Sequence, residues 1–316
     1  MARQRTTGAP PPAAAACAQR PAAPQSAAMT DRLFLRLDGD PLYAPETSVP
    51  AGALRELALP AALRPHVAHL LAYREELPAG LTLRERVLPD GALRLIVEDL
   101  DAGPRLMLAG PSTQPVLLQL SGRQHGLSLT LRPGAAQALL GLPAHELAER
   151  VLPWDAVVAP RWRDLAERLQ ARRGDAARAR CLLQTLEAMR RDSAAPDPRP
   201  VLAAGRLFEQ GQGRRSVAEV ARQLGLGERR LQQVFRAQLG LTPAAFGRLA
   251  RLHACLRLLR RPAARPPRWP ELALEAGFYD QSHLIREFRA LCGLTPQQYL
   301  DEARAPAVSD LSKTRA

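Results

Sequence analysis

Glu228-Arg-Arg-Leu-Gln-Gln-Val-Phe-Arg-Ala-Gln-Leu-Gly-Leu-Thr-Pro-Ala-Ala-Phe246 returns 53 residues later as Gln281-Ser-His-Leu-Ile-Arg-Glu-Phe-Arg-Ala-Leu-Cys-Gly-Leu-Thr-Pro-Gln-Gln-Tyr299. Eight of the 19 positions are identical: Leu231/Leu284, Phe235/Phe288, Arg236/Arg289, Ala237/Ala290, Gly240/Gly293, Leu241/Leu294, Thr242/Thr295 and Pro243/Pro296. Both copies carry apolar residues at helical spacing and end in Gly-Leu-Thr-Pro. In that ending Gly suits the position after a helix, Thr the N-cap and Pro the first residue of the next helix. The same supersecondary unit therefore occurs twice.

Each unit reads as a helix-turn-helix. In the first, Ser216 and Glu219 form a capping box, and Val217, Val220, Ala221 and Leu224 fall at i, i+3, i+4 and i+7. Gly225 supplies the tight turn. The second helix, 228–238, turns Leu231, Val234, Phe235 and Leu239 inward and leaves Arg229, Arg230, Gln232, Gln233 and Arg236 outside. In the second unit Pro270 opens the first helix, Gly277 begins a turn one residue longer, and helix 281–291 buries Leu284, Phe288 and Leu291 while exposing Gln281, Ser282, Arg286 and Arg289. Arg reaches guanine O6 and N7, Gln reaches adenine, and further Arg or Ser reach phosphates, so both outer faces hold what a helix in a major groove needs. Between the units, 243–260 is helical by period and long enough to join them rigidly. The two reading helices are then expected in successive major grooves, about 34 Å apart.

Charge agrees with that reading. The 316 residues carry a net charge of +13, yet residues 1–160 hold 15 basic and 15 acidic side chains, while 161–316 hold 29 and 16. All the excess lies in the C-terminal half, as expected for a nucleic-acid partner. Arg supplies every base except Lys313, so the distribution carries the argument rather than the amount. No stretch approaches the 18 or so apolar residues of a membrane span. Cys17, Cys181, Cys255 and Cys292 are far apart with no CxxC, which suits a reducing cytoplasm.

The expected organisation is a disordered Ala/Pro-rich tail (1–30), an α+β domain (31–158), a helical connector (159–192), a linker (193–200), an all-α DNA-binding domain of two helix-turn-helix units joined by a long helix (201–302), and a disordered tail (303–316). Met29 stands as an alternative first residue. In the α+β domain, Asp90-Gly91 between Leu81–Leu88 and Ala92–Val97 signals a hairpin, and Ser121-Gly122 between Pro115–Leu120 and Gly126–Leu131 a second. Helices are expected at Ala61–Tyr73, Gly134–Leu140 and Ala144–Arg150, then two more between Arg161 and Arg191 around Gly174. Three prolines in Ser193–Pro200 prevent helix continuation there.

Residues 201–300 resemble the DNA-binding domain of AraC/XylS-type transcription regulators, most closely through Ala276-Gly-Phe-Tyr-Asp-Gln-Ser-His-Leu-Ile-Arg-Glu-Phe-Arg-Ala-Leu-Cys-Gly-Leu-Thr-Pro-Gln-Gln-Tyr299. The resemblance implies base contacts from Arg229, Gln232 and Gln233, then from Gln281, Ser282 and Arg286. Ile285 and Leu300 depart from the family pattern. Val87-Leu-Pro-Asp-Gly91, Ala109-Gly-Pro-Ser-Thr113 and Leu131-Arg-Pro-Gly134 resemble an uncharacterised domain found before such units, which by analogy senses a ligand or dimerises.

The implied partner is double-stranded DNA. A small-molecule effector of unknown identity, RNA polymerase and a second copy of the chain stand as further partners, and a membrane does not. His66 and His69, at i and i+3 on the expected helix, make too sparse a set with His125 or His145 for a metal, which needs three or four converging ligands. No metal, cofactor or catalytic residue is expected. The competing function is a catalytic N-terminal domain, of alkyl-transfer or another kind, fused to the DNA-binding unit, which would need an activated cysteine. A basic domain that binds RNA or lipid is a third class, disfavoured because A-form RNA hides its major groove.

Overall fold

The computed structural model describes residues 29–37, 39, 40, 42, 47, 49–192, 197–261 and 266–304. Two sheets form the N-terminal half. A three-stranded sheet has the order β1-β4-β7, from β1 (Met29–Phe34), β4 (Thr82–Val87) and β7 (Val116–Leu120), with β1 parallel to β4 and β7 antiparallel to it. A six-stranded antiparallel sheet has the order β2-β3-β8-β5-β6-β9, from β2 (Leu54–Leu57), β3 (Val67–Glu76), β8 (Arg123–Leu131), β5 (Leu93–Leu100), β6 (Gly103–Ala109) and β9 (Val151–Pro153). Helices α1 (Ala135–Leu140), α2 (Trp154–Val157), α3 (Leu165–Gln170) and α4 (Asp175–Asp192) follow. Leu165, Leu169, Leu182 and Leu186 of α3 and α4 are buried in one core with Leu70, Leu95 and Leu129 of the larger sheet. The expected connector is thus part of the N-terminal core.

The structure corrects several expectations. Ala61–Tyr73 is a turn followed by β3, not a helix, so His66 precedes a strand and His69 lies in it. Val67 and His69 to Ala72 are all buried, because β3 is central and covered on both faces. Such a run loses the period of two and cannot be told from a buried helix by pattern. Both expected hairpins are also absent. β4 and β5 flank Asp90-Gly91 but enter different sheets, and so do β7 and β8 around Ser121-Gly122. The Asp90 carboxylate accepts the Ala92 N–H at 3.0 Å and pairs with Arg94. The dipeptide turns the chain as expected, while pairing is settled by distant partners. Ala144–Arg150 holds only a 3-10 turn, Ala144–Glu146, before Glu149 adopts φ 55° and β9 begins.

Three boundaries move. Met29 and Thr30, placed in the tail, open β1, where Met29 pairs with Thr82 across 53 residues. Helix α5 (Arg199–Gln210) starts inside the expected linker, with Pro200 in its first turn, where a missing N–H costs nothing. Helix α11 (Pro296–Arg304) runs two residues into the expected tail. The remainder of both tails, and 193–196 of the linker, lie outside the described residues.

Between α5 and α11 lie α6 (Val217–Gln223), α7 (Glu228–Leu239), α8 (Pro243–Leu259), α9 (Trp269–Glu275) and α10 (Gln281–Cys292). They form two cores. Val201, Ala204, Phe208, Val220, Leu231, Phe235 and Ala250 make the first. The second gathers Leu252, Leu256, Ala273, Leu284, Phe288 and Tyr299, and it is completed by Leu33, Leu35, Leu37 and Leu88 from the N-terminal half. The second helix-turn-helix therefore buries its apolar face partly against β1 and the residues beyond it.

The two sheets are joined by a buried ion cluster. Arg32 of β1 donates to Glu85 of β4 at 2.5 Å and to Glu75 of β3 at 2.9 Å. Burial raises the Glu85 carboxyl above its usual range, against the pull of Arg32.

Candidate nucleic-acid interface

The first unit is built as its sequence dictates. Ser216 Oγ accepts the Glu219 N–H at 3.2 Å, and Glu219 Oε2 accepts the Ser216 N–H at 2.7 Å, closing the capping box of α6. That backbone bond holds the Glu219 carboxyl below its usual range. Gly225 turns the chain at φ 65° and α7 follows. Beneath α7, Phe208, Phe235 and Phe246 meet in a triangle with ring centroids 5.7 to 6.2 Å apart. Sealing that apolar face leaves Arg229, Arg230, Gln232, Gln233 and Arg236 exposed. Gln238 lies on the other side, buried, with its amide donating to the Asp197 carbonyl at 3.2 Å.

The second unit uses a different cap. Asp280, ahead of α10, accepts the His283 N–H at 2.6 Å, and His283 Nδ1 accepts the Tyr279 N–H at 3.2 Å. Phe278 inserts below the turn against His283, with ring centroids 5.5 Å apart. Ser282, Arg286 and Arg289 are exposed, and Gln281 is half-buried. The two departures from the family pattern have structural reasons: Leu300 is buried in the second core, and Ile285 is half-buried. Tyr279, absent from the expected contact set, is 84% exposed immediately before the α10 cap. An aromatic side chain in the turn of a helix-turn-helix is the signal that could have flagged it.

Polar contacts tie the units together across α8. Arg251 of α8 donates to the Gly213 carbonyl at 2.8 Å on one side and lies 5.7 Å from the Phe278 ring centroid on the other. Gly213 sits so close to α8 that a Cβ there would stand 2.1 Å from the Gly247 carbonyl oxygen. Arg214 donates to the Leu274 carbonyl at 3.2 Å and to that of Glu275, at the C-terminal end of α9, which favours a cation. Arg248 of α8 holds Glu287 of α10 through two bonds, at 2.7 and 3.2 Å. These contacts resist bending at the joint.

Cys181, Cys255 and Cys292 are buried, and burial pushes the Cys255 thiol up to about 12, away from thiolate chemistry. Cys17 lies outside the described residues. Among the described residues no group of three or more His, Cys, Asp or Glu could hold a metal ion, and no helix is long and apolar enough to cross a membrane.

Residues 220–302 match the family model of a helix-turn-helix domain, and residues 55–153 match a domain of unknown function (DUF6597). Among solved structures the chain is similar to an AraC-type transcriptional regulator from Chromobacterium violaceum, at 22% identity over 34% of this chain and 94% of that one, with a TM-score of 0.31. It is similar also to a probable AraC family transcriptional regulator from Rhodopseudomonas palustris, at 26% identity over 34% and 99%, with a TM-score of 0.30. ToxT from Vibrio cholerae aligns over 75% of this chain and 98% of its own, at 11% identity and a TM-score of 0.41. No curated protein matches the chain. The C-terminal region, over residues 220–302, is thus a helix-turn-helix domain, carried behind a domain of unknown function.

Proposed function

We propose that α7 and α10 each enter a major groove of one duplex, in successive turns, and select a site through Arg229, Gln232 and Gln233 of the first unit and Gln281, Ser282 and Arg286 of the second. Arg230, Arg236 and Arg289 supply salt-dependent contacts to phosphate. The observation that carries this reading is the equivalence of the two helices. Each seals its apolar face in its own core and leaves Arg with Gln or Ser at the early outer positions. The N-terminal half is the seat for an effector or a second copy of the chain, because its residues complete the second core and can pass a change to it. Contact with RNA polymerase and a cytoplasmic location belong to the same reading.

Selection from a random duplex library by the purified full chain at about 150 mM salt, near physiological ionic strength, tests the proposal. The expected product is a motif of two blocks about one helical turn apart. A single block would remove one unit from the reading, and no enrichment from a folded protein would remove both.

A further inference from the structure

The internal repeat leads to a junction outside the helix-turn-helix units. Gly240 and Gly293 are equivalent in the two copies and end α7 and α10 in left-handed conformation, at φ 75° and 70°. Each closes its helix through one backbone bond, to Arg236 at 3.1 Å and to Arg289 at 2.9 Å. Both glycines rest on one loop of the N-terminal half, residues 110–115 between β6 and β7. A Cβ on Gly240 would lie 2.6 Å from Pro111 Cγ and 2.7 Å from the Ala144 carbonyl oxygen. One on Gly293 would lie 3.4 Å from Pro115 Cγ and 2.8 Å from an Arg86 guanidinium nitrogen. Hydrogen bonds to helix-end carbonyls reinforce both seats: the Gly134 N–H donates to the Gln238 carbonyl at 2.9 Å, and the Arg86 guanidinium to the Cys292 carbonyl at 3.3 Å. The trailing ends of both reading helices thus sit four residues apart on a single stretch of chain.

That stretch is fastened down. The Glu149 carboxylate accepts the Ser112 hydroxyl at 2.5 Å and both the N–H and the hydroxyl of Thr113, at 2.9 and 3.1 Å. Ser112 Oγ accepts the Gln114 N–H at 2.9 Å. The Glu149 N–H returns a bond to the Pro111 carbonyl at 3.0 Å, and Gly110 donates to Arg150 at 2.8 Å. Glu149 makes these contacts from φ 55°, a conformation that a residue with a side chain seldom adopts without compensation.

We infer that the 110–115 loop is a spacer that sets the separation and phase of α7 and α10, with Glu149 as its positioning residue. The N-terminal half then determines which spacing of two base blocks the protein accepts, in addition to the stiffness of α8. Two linked readers gain affinity only when their geometry matches both targets, so loosening the spacer lowers affinity at the best spacing and leaves each single block unaffected. The inference rests on the two-groove reading proposed above.

The test uses the full chain with Glu149→Asn, which tolerates the left-handed backbone but is too short to reach Ser112 and Thr113. Binding is measured on duplexes carrying both selected blocks at the best spacing, on duplexes with the blocks moved by one or two base pairs, and on single-block duplexes. The expected result is a loss of about tenfold at the best spacing with little change elsewhere, so that the spacing profile flattens. Glu149→Gln, which retains one acceptor for Thr113, should fall between. A second readout needs no DNA: spin labels at Ala218→Cys on α6 and Leu274→Cys on α9, in a Cys17→Ala background, should give a broader distance distribution when Glu149→Asn is added. An unchanged spacing profile and distance distribution would overturn the inference and leave α8 as the only spacer. Equal weakening on every duplex with an unchanged distance distribution would overturn it as well. If the wild type selects no sequence the two-groove reading fails, while the spin-label distances still decide whether the loop holds the units.

Discussion

Nε2 of His253, midway along α8, donates to the carbonyl oxygen of Pro89 across 3.0 Å, in the buried joint between the N-terminal half and the helix that links the two reading units. A Cβ on neighbouring Gly91 would stand 2.9 Å from Leu241 and 3.0 Å from Leu249, so the turn after Pro89 packs closely on the start of α8. Nearby, Arg260 and Asp40 pair at 3.0 Å. The long helix is therefore held by the N-terminal half as well as by its own units.

This joint should be sensitive to acid. Burial lowers the basicity of His253, against the pull of the Pro89 bond, and lowers His69 to about 4, with Arg36 and Arg94 adding to burial. A histidine whose folded pKa lies below its unfolded value of 6.5 binds more protons when unfolded, so stability falls as pH drops through 6.5 and, for His69, levels off near 4. For His69 this should cost about 1 kcal/mol at pH 5.5, and His253 adds a cost of the same sign. Urea midpoints at pH 7.5 and 5.5 check this. His69→Gln with His253→Gln should shrink the difference between the two, and an undiminished difference would place the acid sensitivity in other groups.

Leu35→Ala should destabilise the second helix-turn-helix although it lies far from it in sequence. Leu35 is fully buried among α8, α10 and α11 residues, and its truncation should cost about 2 to 5 kcal/mol. A fragment starting at residue 197 loses all four N-terminal leucines of that core. Thermal unfolding followed by circular dichroism, with dye binding to exposed apolar surface, should show the fragment less stable than the full chain. Equal midpoints would mean that the core closes without them.

Gly225→Ala and Gly240→Ala separate backbone strain from contact. Both glycines have positive φ, but a Cβ at Gly225 would meet open space. The first substitution should cost about 1 to 2 kcal/mol from the left-handed conformation alone. The second adds collisions with Pro111 and the Ala144 backbone, a further cost of about 1 to 3 kcal/mol. Denaturant midpoints of the two variants should therefore differ, and a common value would remove the seat described for Gly240.

Among the proposed DNA contacts, Arg286→Ala should cost about 1 to 3 kcal/mol on the selected site and relax preference at one base pair. Arg289→Ala should weaken binding to all sequences alike and reduce the slope of log affinity against log salt by about one. Competition binding at several salt concentrations distinguishes the two patterns, and interchange of the two results would exchange the two roles.

The helices of the C-terminal units were legible because the signals that place them are local. Ser216 with Glu219, the turn at Gly225, the stripe from Leu231 to Leu239 and the Gly-Leu-Thr-Pro endings each act within about a dozen residues, and α6, α7, α8 and α10 form where those signals stand. The outer positions Arg229, Gln232, Ser282 and Arg286 followed from the same period. Asp90-Gly91, by contrast, announced a turn but not the partner of either strand. β4 pairs with β1, 53 residues away, where Arg32 and Glu85 form a buried ion pair that no local signal announces. β3 hid its strand character because both of its faces are covered. Gly240 and Gly293 each lie more than a hundred residues in sequence from the 110–115 loop on which they rest. What the chain determines alone is thus each helix, cap and turn. Which strands meet, which leucines complete the second core and what the reading helices rest on were decided by tertiary packing, because burial free energy depends on neighbours that only the folded chain brings together.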